Sequence, residues 1–386
     1  MRKTSLWALC VLLLAGCASG TQPGSRYANL PELTRSDAEA YAQELTQEWK
    51  DSVATATQSV FDEKVLTRGE YTMKLAWTVY GPAPADGRSL YISLHGGGGT
   101  TPEANDQQWD NQQKLYKPDE GVYLCPRAIT NTWDLHFRPE DEAFYAEVIR
   151  MAVAHLDVNP DKVYLMGYSA GGDGVWRLAP RMADTWAAAS MMAGHPGDVS
   201  LVNLRNLPFM IWCGALDAAY ERNLRCAERI AEMDALQAED PAGYVHEGHI
   251  VEGREHWMYL EDAAAVPWMA KYRRNPLPDK IVWRQEEVLH PSFYWIGAPS
   301  GELARGKEVR VARSGNTVTV EKCDYSRLTI WLSDAMADLD KPVRVVLGDR
   351  VLFEGPVKRT PAVLRQSLRE RQDPSYLFPA KIEVVL

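Results

Sequence analysis

Short, almost uninterrupted apolar runs dominate the middle of this chain and restrict its fold more than any other feature. They are the stretches GVYLCPRA, KVYLMGYS and PFMIWCGALD. Runs of this kind suit parallel strands that are buried on both faces. Helical stripes lie between them, one with Phe144, Val148 and Met151 and another over residues 175–182. Because strands that alternate with helices build parallel sheets, we expect an α/β fold with a mostly parallel sheet flanked by helices.

Changes of sequence texture divide the 386 residues into five parts, and this length favours one large domain with a smaller one. We expect a lipoprotein signal peptide over residues 1–16, a polar tether over 17–35, a helical segment over 36–70, the α/β domain over 71–275 and a β-rich domain over 278–386. The last part has short strands separated by Gly, Asp, Asn and Pro turns, which is typical of a small sandwich. It is interpreted as a structural cap on the α/β domain, with carbohydrate binding as the alternative.

The first residues have the pattern of an export signal. A basic start precedes an apolar run over residues 6–14, which is too short to span a bilayer. The run ends in the letters LAGC, which resemble the lipobox of bacterial lipoproteins and imply that Cys17 becomes lipidated. We therefore expect a lipid anchor in a bacterial membrane, on the periplasmic or the cell-surface side of the envelope. The alternative is a soluble secreted protein.

Export would place the remaining cysteines in an oxidising compartment. They are Cys125, Cys213, Cys226 and Cys323, which allow one or two disulfides and three ways of pairing all four. Cys125 and Cys213 lie in apolar runs, where a free thiol acts as a small hydrophobic group. The sequence has no C-x-x-C pair, so metal binding by cysteine is not expected.

The stretch GYSAGGDGVW places Ser169 between Gly167 and Gly171 in a G-x-S-x-G pattern. An apolar strand candidate precedes it and an amphipathic helix candidate follows. That context is typical of the nucleophile elbow, a sharp turn that exposes a serine hydroxyl above a sheet. The turn also puts the serine at a helix N-terminus, where partial positive charge favours a developing anion. Ser169 is therefore the candidate nucleophile.

A serine hydroxyl needs a base, and the base needs an acid that orients it. In this fold the acid follows the serine along the chain and the histidine follows the acid. Asp217, in GALD, and His256, in EHW, meet that order and fall at expected carboxyl ends of strands. The other candidates are Asp198 and Glu221 for the acid, and His246, His249 and His290 for the base.

A run of four glycines follows His95 at the end of a predicted strand. Glycines let backbone N–H groups approach a substrate oxygen with no Cβ in the way. The run is similar to the H-G-G-G oxyanion loop of esterases. We expect the N–H groups of Gly97, Gly98 and Ala170 to form the oxyanion hole.

Residues 73–272 resemble the α/β-hydrolase family through the motifs LHGGGG, KVYLMGYSAGG, GALD and EHW. Within that family they are most similar to the secreted esterases that include polyhydroxybutyrate depolymerases and feruloyl or acetyl-xylan esterases. The resemblance implies a serine carboxylesterase that cleaves an ester of a glycan or polyester, without a cofactor or a metal. Those esterases often carry a glycine just before the histidine, whereas Glu255 stands there and Trp257 follows directly.

Aromatic residues near the expected site are candidates for stacking on a sugar or an aromatic acyl group, with core packing as the alternative. The pocket candidates are Trp133, Tyr168 and Trp257, and Trp109 and Trp176 lie nearby in sequence. Two other functions remain open at this point: a peptidase of the prolyl-oligopeptidase type, and an inactive envelope binding lipoprotein. The net charge of −10 gives no electrostatic basis for binding nucleic acid.

Overall fold

The computed structural model describes residues 25–386, so the predicted signal peptide and Cys17 lie outside the described residues. Over these residues the helices are α1 (Arg35–Glu63), α2 (Pro102–Leu115), α3 (Asp141–His155), α4 (Ala170–Arg181), α5 (Arg222–Glu239), α6 (Ala265–Met269) and α7 (Pro361–Arg371). The strands are β1 (Val65–Arg68), β2 (Tyr71–Tyr80), β3 (Arg88–Leu94), β4 (Gly121–Pro126), β5 (Val158–Tyr168), β6 (Ala188–Met192), β7 (Phe209–Gly214), β8 (His246–Val251), β9 (Lys280–Arg284), β10 (Ser292–Phe293), β11 (Ile296–Gly297), β12 (Glu308–Ser314), β13 (Thr317–Cys323), β14 (Arg327–Leu332), β15 (Val343–Leu347), β16 (Arg350–Gly355) and β17 (Ala380–Val385).

An eight-stranded sheet forms the centre of the molecule, in the order β1-β2-β4-β3-β5-β6-β7-β8. The strands from β4 through β3 to β8 run parallel, and β2 and β1 are antiparallel to their neighbours. Every residue of β4 and β7 is buried, as expected for strands covered by helices on both faces. The predicted α/β fold with a mostly parallel sheet is confirmed.

The N-terminal part is more closely packed than the sequence suggested. The tether predicted over 17–35 is wrong from Ser25 onwards, because Tyr27 and Leu33 are buried and the Leu33 N–H donates to the Arg359 carbonyl at 2.9 Å. The helix predicted from residue 36 is α1, which buries one face and packs on α3. The helical segment predicted to residue 70 also ends early, since β1 pairs with β2 at the edge of the large sheet.

Two smaller sheets follow the α/β part. One has the order β16-β15-β13-β12-β9 and the other β10-β11-β14-β17, and α7 precedes β17 along the chain. Their apolar side chains are continuous with the core of the large sheet. Buried Arg274 also joins the parts, because it pairs with Asp161 and Asp373 at 2.7 Å each. These contacts fit the cap interpretation.

The four cysteines downstream of Cys17 are free thiols, three of them buried, so none of the disulfides that the sequence allows is formed between residues 25 and 386. Cys125 and Cys213 instead behave as small buried apolar groups of β4 and β7.

Between Ser25 and Leu386, no helix combines the length and apolarity that a membrane crossing requires.

Candidate active site

The loop between β5 and α4 holds Ser169 in a strained conformation, with φ +58° and ψ −121°. Its flanking glycines are required by packing. A Cβ on Gly171 would lie 2.1 Å from the Leu94 carbonyl oxygen, and one on Gly167 would lie 2.4 Å from the Gly171 oxygen. The Ser169 N–H donates to the Met192 carbonyl at the end of β6. The chain therefore folds into the sharp strand–turn–helix elbow that the sequence predicted, and its serine hydroxyl points away from the sheet toward His256.

Ser169, His256 and Asp217 form one hydrogen-bonded line. The Ser169 Oγ lies 2.9 Å from His256 Nε2, and His256 Nδ1 lies 2.7 Å from Asp217 Oδ2. An ionised carboxylate can only accept, so Nδ1 carries the proton in the neutral ring and Nε2 is the acceptor that faces the serine hydroxyl. The arrangement has the geometry of a nucleophile with its base and orienting acid.

The acid loop after β7 keeps Asp217 buried beside a positive charge. The Asp217 side chain is 1% exposed, and its Oδ1 accepts from Arg222 at 3.2 Å. A buried carboxylate needs such a partner, because removal of a charge from water is otherwise costly. In the same loop, Tyr220 and Glu221 both have a positive φ, at 55° and 57°.

The loop that carries His256 is anchored by Tyr168, the last residue of β5. The Tyr168 hydroxyl donates to the His256 carbonyl at 2.6 Å and accepts from the Met258 N–H at 3.1 Å. Burial raises the pKa of this phenol, so the hydroxyl keeps its proton for that donation. Tyr168 therefore positions the histidine backbone while its ring forms part of the cavity wall.

The other candidate acids and bases are engaged elsewhere. Asp198 pairs with Arg305 and Glu221 with Arg225. His246 hydrogen-bonds Asp234, His249 stacks on Trp212 and His290 pairs with Glu142. Asp173, which follows the serine in α4, accepts from the His195 N–H at 2.6 Å, and burial raises its pKa to about 6.

The glycine loop is held in place by Asn105, a fully buried residue of α2 that sequence reasoning missed. Its Oδ1 accepts from the Gly98 N–H at 2.9 Å. The expectation that Gly98 donates to a substrate oxyanion is therefore wrong, because that N–H is already used. Gly97 and Ala170 remain as the candidate donors, and the amide of Ala170 opens α4, where N–H groups have no partner within the helix.

Two buried histidines fix the start of the glycine loop as neutral rings. His95 Nδ1 donates to the Gly96 carbonyl at 2.6 Å, and its Nε2 accepts from the Ala128 N–H at 3.1 Å. His136 Nε2 donates in turn to the His95 carbonyl at 2.9 Å. Burial lowers the pKa of His95 to about 4 and holds that of His136 well below its usual value.

Acid should lower the free energy of unfolding, because the buried ring of His95 is neutral in the folded protein. The unfolded chain protonates this ring near pH 6.5, whereas the folded protein keeps it neutral down to about pH 4, so the free energy of unfolding falls between these values. We expect the stability advantage of the wild type over His95→Asn to narrow by up to about 3 kcal/mol from pH 7 to pH 4. Urea unfolding of both proteins across this range measures the effect. An advantage that does not change with pH would contradict it.

A cavity of about 640 Å³ opens beside Ser169, between α2 and the His256 loop. Tyr168 and Trp257 line it, together with Gly96, Gly97, Gln108, Asn111, Gln112, Lys114, Leu115 and His256. Trp133 is not among the lining residues and lies instead over Gly99, where it contacts Tyr220. Trp176 is fully buried in the core, and Trp109 donates to the Cys125 carbonyl.

Comparison with curated proteins finds similarity over about half of this chain. A Nocardia uniformis protein named "Putative esterase NocK" is 28% identical over 202 residues, which cover 50% of this chain and 57% of that protein. The chain therefore spans just over half the length of the curated relative that it matches. No protein-family model matches.

Solved structures that resemble part of the chain include a thermostable esterase, with 18% identity and a TM-score of 0.41 over 54% of this chain and 62% of that one. A phospholipase/carboxylesterase from Dyadobacter fermentans has 18% identity and a TM-score of 0.37 over 53% of this chain and 100% of that one. A feruloyl esterase module from Clostridium thermocellum has 15% identity and a TM-score of 0.38 over 53% and 85%.

The sheet order and the elbow on β5 define the fold, and the curated relative covers half of the chain. In this fold the serine loop, the acid loop and the histidine loop all follow the carboxyl ends of strands at one edge of the sheet. The chain has the α/β-hydrolase fold, and half of it is similar to a protein named an esterase.

Proposed function

We propose that the protein is a serine carboxylesterase that works through an acyl-enzyme at Ser169. The observation that carries this proposal is the unbroken hydrogen-bonded line from the Ser169 Oγ through His256 to Asp217. The line starts on a strained elbow, where the hydroxyl is accessible from the neighbouring cavity. The similarity to a protein named an esterase supports the same reaction class.

The geometry supports the following sequence of steps. His256 Nε2 removes the Ser169 hydroxyl proton while Oγ attacks the ester carbonyl carbon, and the N–H groups of Gly97 and Ala170 hold the oxyanion. His256 then gives its proton to the leaving alcohol. A water molecule then gives a proton to the same nitrogen and attacks the acyl carbon. The bond from that carbon to the Ser169 Oγ breaks, Oγ takes the proton back from His256, and the acid is released. Asp217 holds the ring orientation and stabilises the imidazolium in both halves, and Arg222 is the buried cation that pairs with Asp217.

The substrate we propose is an ester of a glycan or a polyester. The cavity wall formed by α2 offers the amides of Gln108 and Asn111 and the ammonium of Lys114, and Trp257 faces the same space. Amides and an aromatic surface suit the hydroxyls and the apolar faces of a sugar, so this lining favours a glycan. A lipid anchor at Cys17 would hold the enzyme in the bacterial cell envelope.

A panel of chromogenic substrates tests the proposal. We expect the purified protein to hydrolyse p-nitrophenyl acetate and to release acid from acetyl, feruloyl or short-chain hydroxyalkanoate esters, with no measurable action on peptide p-nitroanilides. A fluorophosphonate probe should label Ser169. Faster cleavage of the anilides would instead indicate a peptidase. A folded protein that neither turns over esters nor takes the label would be an inactive binding protein.

A further inference from the structure

Two large exposed aromatic rings lie in contact outside the Ser169 cavity. Trp133 is 48% exposed and Tyr220 is 65% exposed. Their ring centroids are 5.7 Å apart, and the ring planes are inclined by 52°. Single exposed aromatic residues are common on protein surfaces and need no explanation. A contacting pair of exposed aromatic residues from two separate loops does need an explanation.

The pair is adjacent to the reacting centre on two sides. Trp133 lies in the segment that packs on the glycine loop, because the Trp133 carbonyl oxygen is 3.4 Å from the position of a Cβ on Gly98. Leu135 of the same segment packs with Ala170, the residue after the nucleophile. Tyr220 belongs to the acid loop, three residues after Asp217. The pair therefore bridges the oxyanion loop and the acid loop.

The Tyr220 ring is placed by a strained backbone. Tyr220 and Glu221 are consecutive left-handed residues, a conformation that non-glycine residues rarely adopt. The strain is not compensated by burial, since the ring is mostly in solvent. Arg222 lies behind the ring, with its guanidinium 5.0 Å from the ring centroid, and also pairs with Asp217. Backbone conformations of this kind cluster at active sites and ligand clamps.

We infer that Trp133 and Tyr220 form a second substrate subsite, which binds a pyranose ring of the glycan chain next to the ester being cleaved. The two rings contact each other, so a sugar would lie across their exposed surfaces, where the C–H groups of a pyranose can pack on the aromatic rings. The charged side chains of Glu221 and Arg225 at its border offer hydrogen bonds to sugar hydroxyls. This inference rests on the proposed esterase activity and specifies the polymer that the enzyme recognises.

Two substitutions remove the rings with little disturbance: Trp133→Ala and Tyr220→Asn, where asparagine tolerates the left-handed backbone. The readout is the ratio of kcat/KM for O-acetylated xylo-oligosaccharides to kcat/KM for p-nitrophenyl acetate, which has no sugar. We expect each variant to lower this ratio at least about tenfold, mainly through KM. Methyl ferulate serves as a third substrate. A comparable loss on methyl ferulate would show that the rings bind an aromatic acyl group and would overturn the sugar assignment.

Tyr259→Asn is a matched control for stability. Tyr259 is 68% exposed, has a φ of 54° and has an arginine 5.0 Å from its ring centroid, but it lies outside the Trp133–Tyr220 pair. Val385→Ala, which changes an exposed residue of β17, is the control for the substrate ratio, and its ratio should remain within about twofold of wild type. Thermal unfolding provides a second measurement. A Tyr220→Asn protein that is clearly less stable than the Tyr259→Asn protein would show that the Tyr220 ring is structural and would overturn the inference.

Binding without turnover separates this inference from the proposed activity. Unesterified xylo-oligosaccharides titrated into Ser169→Ala protein should bind by calorimetry, and Trp133→Ala in that background should weaken the binding at least about tenfold. If p-nitrophenyl acetate is not hydrolysed, the esterase proposal fails while this titration still tests the subsite. Equal affinity with and without the Trp133 ring would overturn the subsite itself.

Discussion

Replacement of Ser169 by alanine should reduce kcat/KM for p-nitrophenyl acetate by about 10⁴-fold or more, because the oxygen that forms the acyl bond is lost. The fold should be unaffected, since within residues 25–386 the hydroxyl hydrogen-bonds only the His256 ring, at 2.9 Å. Steady-state kinetics with active-site titration measure the loss. The residual rate then reports what the oxyanion donors and the cavity contribute without a nucleophile.

Ser190→Ala is the appropriate control for this result. Ser190 is fully buried in β6 of the same sheet, and its hydroxyl has no hydrogen-bond partner among the described residues. Its removal should therefore leave the rate within about twofold of wild type. A Ser169→Ala protein as active as Ser190→Ala would contradict the assignment of the nucleophile.

Replacement of Asp217 by asparagine should lower kcat by about 10³- to 10⁴-fold without unfolding the protein. An amide in this position can present its NH₂ to His256 Nδ1, which would move the ring proton to Nε2 and leave no acceptor for the serine hydroxyl. Arg222 would also lose a charged partner, so a modest fall in thermal stability should accompany the loss of activity.

The matching control is Asp198→Asn. Asp198 is an exposed carboxylate that pairs with Arg305 at 3.0 Å on the surface. Ion pairs on the surface contribute little to the free energy of unfolding, so activity and melting temperature should both stay near wild-type values. Comparable losses of kcat in the two variants would show that a general change in charge, and not the orientation of His256, causes the effect.

The sequence was most informative where local chemistry decides the structure. The buried strands were visible as apolar runs, and the elbow was visible because Gly167 and Gly171 meet backbone atoms that exclude any side chain. The order of serine, acid and histidine followed from the strand order, since each lies after a parallel strand at the same edge of the sheet. The proximity of Ser169, Asp217 and His256 could therefore be predicted without knowledge of distances.

The parts that could not be predicted depend on contacts between distant or polar side chains. Helix α2 escaped detection because the residues it buries, Asn105 and Gln112, are polar and leave no apolar stripe. The use of the Gly98 N–H by Asn105 follows from that same helix and was equally invisible. Tyr220 carries no motif, and only its positive φ and its contact with Trp133 distinguish it.

The burial of Tyr27 and Leu33 limits the reach of the molecule. With these side chains packed in the core, the folded body begins near Ser25. If Cys17 carries lipid, only residues 17–24 separate the bilayer from that body, and eight residues extend over at most about 28 Å. An enzyme anchored by so short a segment would reach only those polymer strands that pass close to the membrane surface.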